Sequence, residues 1–156
     1  MKRALVIGVA AAALLAQSAG AGAARVACPR ANVDDPYRAA AAFLTSAVQR
    51  QNVAASYRLA TRSLRGSLSC EQWAGGRLPV RAYPDIDWSR TAYENVAGGD
   101  GQVVIRVLLY RLHRTEPVPF LMEIQKDVEP GWHVGYFAPD RWYRPAPAPK
   151  ISPLAA

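Results

Sequence analysis

Apolar and polar side chains alternate along three consecutive stretches between Gln102 and Phe137, and this alternation constrains the fold more than any other feature of the sequence. The stretches read VVIRVLLYRL, PFLMEIQK and WHVGYF. One side of each is apolar: Val103, Ile105, Val107 and Leu109 in the first, Phe120, Met122 and Ile124 in the second, and Trp132, Val134 and Tyr136 in the third. A period of two residues is that of a pleated strand. The sequence therefore predicts an antiparallel meander of three strands, with turns at Pro117 and at Pro130-Gly131.

The chain before the meander is predicted to be helical. Asp35 is a good helix cap and Pro36 suits the first helical position. Apolar residues then recur at three- and four-residue intervals and form one stripe: Tyr37, Ala40, Ala41, Leu44, Ala47 and Val48. Asn52 is expected to cap a second helix that runs to about Arg65, so the two helices form a hairpin.

A short third helix, CEQWA, is predicted after Ser69, and Thr91 to Ala97 is predicted to be a further strand. The glycine-rich joint 98–101 suits a tight turn into the meander. We therefore predict an α+β fold in which an N-terminal helical hairpin and a short third helix pack on a curved antiparallel sheet of about four strands. This domain is expected to span residues 35–140.

The N-terminus has the layout of a secretory signal peptide, predicted here as residues 1–23. Lys2 and Arg3 precede an uncharged run that is too short to span a bilayer, and Ala21-Gly22-Ala23 suits cleavage. The chain is therefore expected to be secreted, periplasmic or associated with the cell envelope, with no transmembrane helix after cleavage. An uncut anchor, or a lipoprotein acylated at Cys28, remains an alternative.

The mature chain is predicted to continue as a linker, residues 24–34, and to end as a proline-rich disordered tail, residues 141–156. From Pro139 onward, Pro139 included, the chain has five prolines, a composition typical of an extended segment without a core. This tail could dock in an aromatic groove of a partner. Removal of Lys2 and Arg3 leaves 17 basic and 12 acidic residues, a net charge of +5. The arginines are spread along the chain, so a solvated basic surface is expected and nucleic acid is not an expected partner.

Two cysteines, Cys28 and Cys70, are the only ones in the chain. In an oxidising compartment they are expected to form one disulfide, although two free thiols remain an alternative. Neither cysteine lies in a CxxC motif, and the two histidines, His113 and His133, have no spacing typical of a metal site. No metal or other cofactor is predicted.

The order of elements resembles the nuclear transport factor 2-like superfamily. The resemblance covers about residues 35–140, and DPYRAAAAFLTSAVQRQNVAASYRLAT and GWHVGYFAP are the stretches that carry it. It implies a cone-shaped fold whose helices fill the mouth of a bent sheet beside a pocket. The superfamily includes isomerases, polyketide cyclases, binding modules and many exported proteins, so the fold implies no single function.

Four residues are candidates for a ligand site in such a cone: Tyr57, Trp73 and Tyr136 as walls and Arg111 as an anchor for an anionic group at the rim. Trp73 is also expected to serve as a core residue. An isomerase-like site needs a carboxylate in an apolar pocket with a tyrosine nearby. Only Glu94 could supply it, if a bulge turned its side chain inward. No catalytic residue is predicted, and His133 is expected to face away from the helices.

The long strand is apolar on both faces. The second face carries Val104, Leu108, Tyr110 and Leu112, with Leu121 and Phe137 on the same side. Helices cover one face of a sheet, and strands apolar on both faces are normally buried on both. The second face is therefore expected to be covered by the segment 77–88, by Trp142 and Tyr143 folding back, or by a homodimer partner or another envelope protein.

Three functions follow as hypotheses. The first is a non-catalytic exported module that binds a partner, the second is a binder of a small apolar ligand, and the third is an enzyme of the isomerase or cyclase kind that requires Glu94 in the pocket.

Overall fold

A computed structural model describes residues 26–144 of the chain. The predicted signal peptide, and the predicted tail beyond Arg144, lie outside the described residues. The described elements, in chain order, are the helices α1 (Pro36–Phe43), α2 (Val53–Ser56), α3 (Arg62–Arg65) and α4 (Cys70–Ala74) and the strands β1 (Ala92–Gly99), β2 (Gln102–Leu109), β3 (Val118–Lys126) and β4 (Trp132–Pro139).

The first helix begins as the sequence predicts. The Asp35 side chain accepts a hydrogen bond from the Arg38 amide at 2.8 Å, and Pro36 follows the cap. The chain continues beyond α1 as a wider π-helical turn, Leu44–Val48, whose inner side chains are fully buried. Arg50 then takes a left-handed backbone conformation, with φ of 66°, and ends the helical segment.

The predicted continuous second helix is wrong. Asn52 caps α2, as expected, but α2 gives way to a short 3₁₀ turn, Tyr57–Leu59, and then to an extended residue, Ala60. Ala60 forms a parallel bridge with Val134 of β4, and the Thr61 amide donates to the Val134 carbonyl at 2.9 Å. The helix therefore ends at this point, where the backbone of Ala60 and Thr61 pairs with β4 instead of continuing the helix.

The predicted α+β fold is confirmed: short helices pack on a four-stranded antiparallel sheet of order β1-β2-β3-β4, and the sheet is not closed. The strand register shifts by one residue at two points, between Asn95 and Ala97 in β1 and opposite Glu123 and Ile124 in β4. Each shift leaves one residue without a partner and reverses the side-chain alternation beyond it.

The core lies between α1 and the inner side of the sheet. It contains Ile105, Phe120 and Met122, which are almost completely buried, and Phe43 from α1. The Trp73 ring is fully buried in the same core, and its Nε1 donates to Ser56 Oγ at 2.8 Å.

The segment 77–88 closes one end of this core. Val80, Tyr83 and Ile86 are buried, and the Tyr83 ring meets the Phe120 ring edge-on at 5.4 Å. The Asp87 amide donates to the Tyr110 carbonyl at 2.8 Å. This segment was one of the expected covers of the second sheet face, and its buried side chains instead belong to the core on the inner face.

The predicted disulfide between Cys28 and Cys70 is confirmed, with a distance of 6.0 Å between the two Cα atoms. The disulfide links one end of the linker to α4. At the other end, the Val33 carbonyl accepts a hydrogen bond from the Trp132 amide of β4 at 2.8 Å. Gly131 has φ of 100°, and a Cβ there would lie 2.9 Å from the Val33 nitrogen. The linker is therefore held tightly against the turn between β3 and β4.

The two edges of the sheet differ. The bridge from Ala60 and the hydrogen bond from Thr61 cover part of the outer edge of β4. Within residues 26–144, no strand pairs with the outer edge of β1.

Candidate partner-binding face

The side of the sheet turned away from α1 is built from cross-strand rows, and we call it the outer face. Residues directly opposite each other on neighbouring strands point to the same side. One row is Glu94, Arg106, Leu121 and Ala138, and the next is Ala97, Val104, Glu123 and Tyr136. The face therefore mixes one charged cluster with apolar side chains.

The predicted faces of Tyr136 and Phe137 are wrong. Glu123 is opposite Tyr136 while Ile124 is opposite Val134, so Gly135 is the extra residue of a bulge. Beyond the bulge Tyr136 points outward and is 50% exposed, whereas Phe137 points inward and stacks on Phe120 with ring centroids 4.6 Å apart. An isolated glycine within a strand is a known signal of a bulge, so Gly135 itself carried the information.

Arg106 joins the outer face to the turn that follows β4. Its Nε donates to Asp140 Oδ2 at 2.8 Å, and its guanidinium also donates to Glu94 Oε2 at 2.9 Å. The Asp140 side chain is only 2% exposed, and the Tyr143 ring lies 5.1 Å from the Arg106 guanidinium carbon. We call residues 140–143 the C-terminal strap. Of the two aromatic residues expected to fold back, Tyr143 does so and Trp142 does not.

The hydrogen bond from Arg106 is the main reason why the pKa of Asp140 lies below its ordinary value; burial opposes it, and the Trp142 amide adds to it. The same contacts to Asp140 and Glu94 raise the pKa of Arg106. The ion pair of Arg106 and Asp140 is therefore charged at neutral pH, and it holds the strap in place.

The strap leaves much of the apolar outer face open. Leu108 is buried, while Val104, Tyr110 and Leu121 are half-buried, and the Arg90 guanidinium lies over the Tyr110 ring at 5.0 Å. Beyond the strands, Leu112 is exposed, and Trp142 is 88% exposed.

Two grooves lie on this face. One, of about 350 Å³, is lined by the aromatic residues Tyr136 and Trp142, by Leu121, Ala138 and Pro139, and by Asp140 and Arg141; we call it the aromatic groove. The other, of about 320 Å³, lies at the β1-β2 turn and is lined by Gly98, Gly99 and Val104.

The structure brings only two of the four ligand-site candidates together. Tyr57 and Trp73 pack edge-on at 5.9 Å, and the Tyr57 hydroxyl donates to the Leu68 carbonyl. Arg111 lies at the other end of the sheet, where its Nε donates to both oxygens of Asp85. Tyr136 lies on the outer face.

Glu94 faces outward and binds Arg106, so it does not meet the condition set for an acid-base site in the pocket. Within residues 26–144, no cluster of three or more His, Cys, Asp or Glu side chains could hold a metal ion.

A second polar cluster was not predicted from the sequence. Glu129, in the β3-β4 turn, accepts hydrogen bonds from Arg58 at 3.2 Å and from the buried Arg65 at 2.8 Å. The hydrogen bond from Arg65 is the main reason why the pKa of Glu129 is lowered. His133 is opposite Gln125 but is buried, with ring nitrogens 2.9 Å from the Arg58 carbonyl oxygen and 3.1 Å from that of Glu129. The contacts of Glu129 with Arg58 and Arg65, and of His133 with Arg58, join residues 64 to 75 positions apart, which local sequence patterns do not reveal.

No family model, curated protein or solved structure matches this chain. The function is therefore inferred from the outer face and its surroundings. Among the described helices, none has both the length and the apolar character needed to cross a bilayer.

Proposed function

We propose that this chain is an exported, non-catalytic binding module that pairs with a second copy of itself through the outer face. The observation that carries the proposal is the apolar surface that stays open after the strap has folded over Arg106. Val104 and Leu121 are half-buried, and Tyr136 and Trp142 project into solvent beside them.

The physical reason is the cost of leaving apolar sheet surface in water. Helices bury the inner face, and the strap contributes one ring, that of Tyr143, to the outer face. Contiguous exposed apolar patches are typical of interaction sites. A two-fold pair would bury the same patch on both copies, as closed homodimers do.

Export is supported by the signal-like N-terminus and by the Cys28–Cys70 disulfide, which is stable in oxidising compartments. A secreted, periplasmic or envelope-associated location is thus part of the proposal. Membership of the nuclear transport factor 2-like superfamily is also proposed. It is supported by the order of helices followed by an antiparallel meander.

The two alternative functions have less support. A small apolar ligand would need the space between Tyr57 and Trp73, but these rings pack on each other and the Trp73 indole is bonded to Ser56. An isomerase-like enzyme would need Glu94 to face the helices, and Glu94 binds Arg106 on the opposite side.

Sedimentation velocity of the mature chain over a wide concentration range tests the proposal. We expect a dimer that Val104→Glu converts to a monomer, because the new carboxylate would be buried unpaired in the interface. Val128→Glu is the matched control, since Val128 is 88% exposed in the β3-β4 turn, away from the outer face.

Circular dichroism of both variants checks that they fold. A wild-type chain that sediments as a monomer at every concentration would overturn the proposal, as would equal dissociation by the two substitutions.

A further inference from the structure

We propose that the aromatic groove binds a proline-rich segment, and that its occupant is the stretch 145–153 of a second copy. This inference rests on the proposed pairing of two copies and names the segment that each copy inserts into the other.

The groove has the chemistry that proline-rich segments use. Its lining includes two exposed aromatic residues, Tyr136 and Trp142, and three apolar residues, Leu121, Ala138 and Pro139; Asp140 and Arg141 complete it. Proline rings pack on aromatic faces, and a polyproline II segment is already extended before it binds, so little conformational entropy is lost.

The backbone that carries both aromatic walls is fixed. The Trp142 amide donates to Asp140 Oδ1 at 3.0 Å, and Asp140 is bound to Arg106. Tyr136 lies within β4, opposite Glu123. The groove is thus formed before any ligand arrives, which lowers the cost of binding.

One carboxylate beside the groove, that of Glu123, suits the lysine of the proposed occupant. The stretch PAPAPKISP contains four prolines and one lysine, Lys150. Glu123 lies next to Tyr136, and its Oε1 is 3.6 Å from the position that a Cβ on Gly135 would occupy. Among residues 26–144, Glu123 forms no salt bridge. Its carboxylate is therefore placed to pair with Lys150 of the incoming segment.

The chain geometry favours the second copy over the chain's own C-terminus. Trp142 is a wall of the groove, and Pro145 follows only three residues later. To enter its own groove, the chain would have to reverse at once. Proline holds φ near −65° and keeps the preceding residue extended, so the alternating prolines resist that reversal.

Titration of the full mature chain carrying Pro147→Ala and Pro149→Ala, whose own tail should leave the groove free, with a synthetic peptide of residues 144–153, RPAPAPKISP, tests the inference. The readout is the indole N–H resonance of Trp142 and the ring resonances of Tyr136. We expect both to shift, and we expect Trp142→Ala to weaken peptide binding about tenfold through loss of one stacked aromatic contact. The control variant is Trp88→Ala, which removes another partly exposed indole from the segment 77–88 and should bind the peptide normally.

A peptide in which alanine replaces every proline is the control ligand and should not bind. In the full chain, the double substitution Pro147→Ala and Pro149→Ala should lower the dimer fraction in sedimentation. The inference is overturned if the proline peptide leaves the Trp142 and Tyr136 resonances unchanged. It is equally overturned if these resonances report an occupied groove in a monomer at every concentration, because the chain's own tail would then fill it.

The two proposals fail separately. If the peptide does not bind but Val104→Glu still dissociates the dimer, the tail inference falls and pairing through the outer face stands. If the wild-type chain never dimerises, the proposed function itself falls.

Discussion

Arg106 Nε and Asp140 Oδ2 lie 2.8 Å apart, and this ion pair joins the middle of the outer face to the turn that follows β4. The Asp140 side chain is almost completely buried, and the Tyr143 ring lies 5.1 Å from the guanidinium carbon. One buried carboxylate therefore determines where the strap lies and where Trp142 projects.

Replacement of Asp140 by asparagine is expected to lower the thermal stability and release the strap, because Arg106 loses its less exposed carboxylate partner. The check is thermal unfolding together with the ring resonances of Tyr143, which should move toward solvent-exposed values. Glu94→Gln is the matched control, because it removes the other carboxylate that forms an ion pair with Arg106. Glu94 is 44% exposed, so this variant should lose less than about 1 kcal/mol. Equal losses for the two variants would contradict the prediction.

Glu129→Gln should make the free energy of unfolding vary less with pH in the acid range. The pKa of Glu129 is lowered in the folded chain, so its ionised form stabilises the fold above the ordinary carboxyl pKa. That contribution is lost as the pH falls through the lowered value. Because the side chain is 34% exposed, we expect a cost of about 1 kcal/mol at neutral pH that shrinks as the pH falls from the ordinary carboxyl pKa through the lowered one.

Urea unfolding at a series of pH values measures the Glu129→Gln effect. Glu116→Gln makes the same change of charge at an exposed position in the turn before β3 and is the control. The prediction would be contradicted if the difference in free energy of unfolding between wild type and Glu129→Gln grew as the pH was lowered.

Gly131→Ala should be more damaging than an alanine at another left-handed glycine. Gly131 has φ of 100°, and its new Cβ would lie 2.9 Å from the Val33 nitrogen, so the linker backbone must move. Gly76 has φ of 95° with nothing within 4 Å of the same position. Gly76→Ala therefore isolates the backbone cost, about 1 kcal/mol. Urea unfolding should show a clearly larger loss for Gly131→Ala, and similar losses would show that the linker does not press on the turn.

Removal of the disulfide by the double substitution Cys28→Ser and Cys70→Ser should lower the free energy of unfolding by about 4 kcal/mol, the chain-entropy value for a separation of 42 residues. Wild-type protein unfolded in the presence of a reductant should lose the same amount. A double variant as stable as the oxidised wild type would refute the prediction.

Local patterns in the sequence predicted much of this architecture, and contacts between distant segments account for most of the errors. The alternation in β2 and β3 predicted their inner faces correctly, because Ile105 and Met122 lie opposite each other in the core. The cysteines were also paired correctly. The strand faces follow from the periodicity of the sequence, and the disulfide follows from its content of two cysteines.

The errors have physical causes. One unpaired residue, Gly135, exchanges the faces of Tyr136 and Phe137, while the alternation on either side of it still looks regular. The break at Ala60 depends on a hydrogen-bonding partner in β4, 74 residues later. The burial of His133 likewise depends on the carbonyl of Arg58. A sequence window cannot contain both partners of such contacts.

The unequal edges of the sheet limit how this chain can assemble. Fibres grow when each added molecule offers a fresh strand edge for the next one. Among the residues that the structure describes, the backbone of Ala60 and Thr61 occupies part of the β4 side, whereas β1 offers eight consecutive residues for further pairing. Two molecules that met along β1 would use up that edge in each other, so pairing of strand edges alone adds one partner and cannot extend a fibre.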